Sequence, residues 1–182
     1  MSKEVEVILS IDPQVIEDFN KDSQEGDDWG NINVPFDANN LTVNSGTNAG
    51  SWFQQLEAEQ VMKFRLDKES MGKGLEIEYI RLNPLGSIDY VKQSPLEAWG
   101  GIIDIDDTKG AIGEFGSFYL TPVWHKDNHE APAHYKLRAS KDLNDKSPNL
   151  SYSILFSFTS GKNHRHYCTI DPLIKTSSKV TD

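Results

Sequence analysis

A chain of 182 residues with 18 Lys+Arg against 28 Asp+Glu carries a net charge of -10, and its length suits one domain with a real core. That acidic balance makes phosphate backbones and anionic membranes poor partners, because no basic patch offsets it; the densest basic spot, Lys162 to Arg165, is short. No window approaches the roughly 20 apolar residues of a membrane helix, and the single cysteine, Cys168, excludes an internal disulfide framework and suits a reducing cytosol.

The opening residues Met1 to Val7 lack a basic start and an apolar segment, so no secretory leader is expected. Val5, Val7, Leu9 and Ile11 then recur at a spacing of two, which predicts a strand. Asp12-Pro13 ends it, and Asp12 can cap a short helix through Val15, Ile16 and Phe19 with Pro13 in its first turn. From Asn20 to Gly50 the chain is rich in Asn, Asp, Gly and Ser, and reads as loop apart from the alternating Ile32, Val34 and Phe36.

Alternation returns from Phe53 to Leu66, through Leu56, Ala58, Met62 and Phe64, and reads as one strand. After a turn at Gly72 and Gly74, Leu75, Ile77, Tyr79 and Arg81 are expected on one face, with Glu76, Glu78, Ile80 and Leu82 on the other. Asn83-Pro84-Leu85-Gly86 has turn chemistry. Later strands are expected at Trp99–Ile105, Ile112–Trp124, Ala133–Ala139, Leu150–Thr159 and His166–Lys175, separated by polar turns.

About eight strands with brief connections and almost no helix predict an all-β fold. The expected architecture is an antiparallel β-sandwich, jelly-roll-like, with one short helix after the first strand. Parallel pairing would need helix-length crossovers that these loops do not supply. Residues 1–176 form one domain in this reading, and 177–182 form a polar, frayed tail.

Chemistry-bearing residues are sparse. Asp104 to Gly110 is acidic, but Lys109 stands where a calcium-binding EF-hand loop wants glycine and Phe115 where it wants glutamate, so a hairpin turn fits better. His125, His129, His134 or the His164/His166 pair could serve a metal-dependent β-barrel enzyme, but the bland reading as solvated loop and strand residues carries more weight. Cys168 falls in a strand, away from any helix N-terminus, and reads as a small buried hydrophobe. No nucleophile elbow or phosphate loop is present.

Tryptophans are the remaining lead. Trp124 with His125, Asp127, Asn128 and His129 combines an aromatic face with hydrogen-bonding groups, as sugar-binding sites do, and Trp99 is a further candidate contact. No metal, cofactor or catalytic residue is assigned.

Three stretches resemble the AidA/PixA inclusion-body protein family of bacteria. Val5 to Asp12 followed by Ile16 resembles its opening strand and short helix, and Ala58 to Leu66 with Arg65 resembles its second major strand. His134-Tyr135, Tyr152 to Phe158 and Asp171-Pro172-Leu173-Ile174-Lys175 resemble its aromatic-rich strand, hairpin and closing segment. The resemblance implies a jelly-roll β-sandwich in the cytoplasm that self-associates into homodimers or larger inclusion bodies, without enzymatic activity. It also implies links to quorum sensing, stationary phase or host association. A lectin-like carbohydrate-binding module is the alternative from the residues themselves.

Overall fold

The computed structural model describes residues 4–11, 41–43, 47–48, 53–72, 74–84, 92–124, 133–159, 165–170 and 173–177. Among them lie thirteen strands and two short α-helices.

One sheet runs in the order β3 (Thr47–Asn48), β2 (Leu41–Val43), β1 (Glu4–Ile11), β5 (Val61–Leu66), β10 (His134–Arg138), β9 (Pro122–Val123). The second runs β4 (Phe53–Glu57), β13 (Leu173–Ser177), β11 (Leu150–Thr159), β6 (Glu76–Pro84), β8 (Phe118–Leu120), β7 (Gly110–Ile112). β12 (Arg165–Ile170) also pairs with β11.

The inner faces meet in one core. Val7, Leu9, Met62, Phe64 and Leu137 come from the first sheet, and Leu56, Ile80, Leu82, Tyr152, Ile154 and Phe156 from the second. Phe64 and Tyr152 touch across the interface with ring centroids 5.4 Å apart. The period-two pattern in β1 and β5 marks the faces turned to the core, whereas in β11 Ser153 and Ser157 of the opposite face are buried as well.

Several expectations need correction. The strand expected at His166–Lys175 is two strands, β12 and β13, each paired with β11 at a different stretch. The sheets are mixed: β1 pairs β5 in parallel, and β13 pairs β4 in parallel. These partners lie far apart in sequence, so loop length between neighbours did not constrain them.

Residues 53–66 form two strands in different sheets, not one. The chain crosses at Ala58–Gln60, where Glu59 adopts φ 61° and the Gln60 side chain accepts a hydrogen bond from the Glu57 amide. The inner-facing parity survives the crossing, so alternation alone could not reveal it.

Residues 112–124 divide likewise into β7, a 3₁₀ turn at Glu114–Gly116, β8 and β9, with β9 in the opposite sheet from β8.

The expected strand from Trp99 opens instead inside α2 (Pro95–Gly100). Ser94 caps it by accepting from the Glu97 amide, Glu97 reaches back to the Ser94 amide, and Pro95 fills the first turn. The other described helix, α1 (Lys68–Gly72), links β5 to β6, and Asp67 caps it through the Ser70 amide.

The expected helix at 13–19 and strand at 32–36 lie outside the described residues. No helix among the described residues is long and apolar enough to cross a membrane.

Candidate functional site

The site forms where β6 begins. From Tyr152 to Leu155 its pairing with β11 is regular and places Ile80 and Leu82 inward. The register then steps: Tyr79 opposes Leu155, but Ile77 opposes Phe156, leaving Glu78 as the extra residue of a bulge. The step inverts the alternation. Leu75 is buried and Ile77 packs against the core, while Glu76 and Glu78 remain exposed. The expected grouping of Leu75 and Ile77 with Tyr79 and Arg81 therefore fails, because one inserted residue resets the face of everything before it.

Tyr135 of β10 closes the gap between the sheets. Its ring is buried and its hydroxyl donates to the Ile77 carbonyl at 2.8 Å. Burial pushes the hydroxyl pKa up to about 12, and the charges of Glu78 and Glu76 add to the rise.

Beside this contact lies a cavity of about 380 Å³, within the range of small-ligand sites. Leu66 from β5, Met71 from α1 and Leu75 before β6 give it apolar walls. Pro122 and Ala133 flank it on the β9–β10 side. Glu76 and Glu78 line it as well, and Glu78 accepts a hydrogen bond from the buried Ser157 hydroxyl. Trp124 completes the lining and is 71% exposed.

The sequence candidates separate sharply here. Trp124 is among the residues that line the groove. Trp99 does not belong to any surface: it is 0% exposed, its Nε1 donates to the Gly116 carbonyl at 2.7 Å, and its ring packs on Phe118. It is a core residue, because an indole at the inner end of α2 fills the space under β8.

His125, Asp127, Asn128, His129 and His164 lie outside the described residues. His134 sits at the start of β10 opposite Val123, half-buried. His166 and Cys168 lie in β12, Cys168 opposite Phe156. Among the described residues no group of three or more His, Cys, Asp or Glu is placed to hold a metal.

Residue reading missed Glu76 and Glu78 as lining groups. Their signal was two acids flanking an isoleucine at a strand start, which is indistinguishable from an ordinary solvated face without the bulge.

The acidic segment at Asp104 has a structural role. Asp107 binds Lys136 at 2.8 Å and Arg138 at 2.9 Å, and Asp104 lies 3.9 Å from Arg138. On the other flank Glu4 pairs with Lys63 and Glu6 with Arg65. Lys63 and Lys136 are direct cross-strand neighbours, so acids on either side balance a basic centre on the outer face of this sheet.

No protein-family profile matches the chain, and no curated protein matches it. Among solved structures, the chain is similar to an inclusion body protein (PixA) from Burkholderia cenocepacia J2315 known from its crystal structure. The TM-score is 0.48, the identity 10%, and the alignment covers 97% of each chain.

Proposed function

We propose that this chain is a non-enzymatic protein of the inclusion-body type that self-associates through the outer edge of β12. The observation that carries the reading is Tyr167, 61% exposed in the middle of that strand. β12 is bonded to β11 along one edge, from Ile170 opposite Ile154 to Arg165 opposite Thr159. Among the described residues no strand pairs with its other edge.

An open edge presents a row of backbone donors and acceptors to a second chain. Antiparallel pairing of β12 with its own copy about a two-fold axis satisfies both rows with one surface. An aromatic cross-strand pair adds about 0.2–1 kcal/mol to such a ladder. A jelly-roll topology, a cytoplasmic location, storage in inclusion bodies and a link to quorum sensing, stationary phase or host association belong to the same proposal.

Size-exclusion chromatography with light scattering over a range of protein concentrations tests it. A concentration-dependent dimer or larger species is expected, with Tyr167→Lys shifted toward monomer by charge on the edge. A wild-type chain that stays monomeric throughout overturns the reading.

Trp124 on its groove favours a second reading, a ligand-binding module. In the carbohydrate version a sugar stacks on the indole and hydrogen-bonds to Glu76 and Glu78.

A further inference from the structure

We propose that the groove beneath Trp124 takes an organic cation, an alkylated ammonium group on a small apolar carrier; this rests on the ligand-binding reading of that groove. The first reason is charge. Glu76 and Glu78 are the carboxylates of the lining, both are exposed, and among the described residues no Lys or Arg lines it. A ligand bearing positive charge is complementary to that lining, and a carboxylate or phosphate is repelled.

The second reason is the indole. The face of a tryptophan attracts a cation through its ring quadrupole, more strongly than tyrosine or phenylalanine does. Trp124 is largely exposed on the same groove as the two acids, so aromatic and ionic attraction act on one ligand.

The third reason separates a cation from a sugar. Leu66, Met71 and Leu75 offer no hydrogen bonds, and the Tyr135 hydroxyl already donates to Ile77. Glu76 and Glu78 can accept only from the hydroxyls that face them, and sugar hydroxyls turned to the apolar walls lose water without replacement partners, which is unfavourable. The methyl groups of an alkylated ammonium have no such requirement and gain from the same walls. Burial is the main cause of the raised Tyr135 pKa, and the charges of Glu78 and Glu76 add to it, which places both carboxylates near this end of the groove.

The test uses the full chain at low salt with three probes: choline, its neutral carbon isostere dimethylbutanol, and glucose. Binding is followed by calorimetry and by tryptophan fluorescence. Choline is expected to bind, with dimethylbutanol weaker by about tenfold. Trp124→Leu should abolish choline binding and Glu76→Gln should weaken it, with circular dichroism confirming that these exposed substitutions leave the fold intact.

Equal binding of choline and dimethylbutanol, or a preference for glucose, overturns the cation assignment and leaves the ligand-binding reading standing. Choline binding that survives Trp124→Leu also overturns the assignment, by placing the ligand elsewhere. If none of the three probes binds, both the cation assignment and the ligand-binding reading fall.

Discussion

Trp99 and Trp124 differ in exposure, 0% against 71%, and every difference in their roles follows from that. The Trp99 indole is held by the Gly116 carbonyl and by Phe118. Trp99→Phe keeps an aromatic there but leaves that carbonyl without its donor and opens space beside it. The expected loss is about 2 kcal/mol, read as a lower urea midpoint; an unchanged midpoint would show that the hydrogen bond contributes nothing net. Glu59 is a case of local strain. Its φ of 61° puts an L-residue in the left-handed region, at a cost of about 1–2 kcal/mol. Glu59→Gly should therefore raise stability by about 0.5–1 kcal/mol after the added freedom of the unfolded chain is deducted. Glu59→Ala, which keeps the strained Cβ, should not. If both substitutions behave alike, the backbone conformation is not the source of the effect.

At the scale of elements, sequence patterning located what lies inside but not how the elements connect. The alternation in β1 and β5 is visible because one face of each strand turns to the core, and that imposes a period of two. The crossing at Ala58–Gln60 carries no Gly or Pro, and Gln60 makes the turn with its own side chain, so nothing interrupts the pattern. α2 is legible in principle, because Ser94, Pro95 and Glu97 form a capping signature, but the helix is only six residues long and a β-prone run follows it. The groove was legible only through Trp124, since the bulge that exposes Glu76 and Glu78 depends on the register with β11. Tyr135 ties that bulge to the opposite sheet. Tyr135→Phe leaves the Ile77 carbonyl without this donor and should cost about 1–2 kcal/mol in chemical denaturation. The ladder on the outer face of the first sheet makes a pH prediction. Hydrogen bonds from Lys136 and then Arg138 hold the Asp107 carboxyl below the ordinary aspartate range, and Arg65 does the same for Glu6. A depressed folded pKa contributes stability that is present above about pH 4 and lost as pH falls through the folded value. Urea midpoints measured from neutral pH down into that window should fall more steeply for the wild type than for Asp107→Asn. Parallel curves would mean that solvent screening has removed the contribution.

For the whole molecule the deciding quantity is the net charge of -10, with a sequence pI near 4.9. Two such chains repel as they approach, and the proposed pairing through β12 would have to overcome that repulsion before backbone hydrogen bonds form. Salt shortens the reach of the repulsion from about 30 Å at 0.01 M to about 8 Å at physiological ionic strength. The proposed pairing would be built from backbone hydrogen bonds and an aromatic contact, neither of which salt screens strongly. Self-association should therefore strengthen as salt is raised at pH 7, and strengthen again at low salt as pH is lowered toward 5, where the net charge approaches zero. The acid limb has a boundary: below about pH 4 the Asp107 and Glu6 contributions to the fold are being lost, so assembly measured there mixes pairing with unfolding. Light scattering at fixed protein concentration, stepped in salt at pH 7 and in pH at low salt, separates the alternatives. Growth along both axes, weakened at equal salt by Tyr167→Lys, fits edge pairing opposed by charge. Assembly that dissolves as salt rises would mean that ion pairs hold the copies together, and would point to the charged outer face of the first sheet instead of β12.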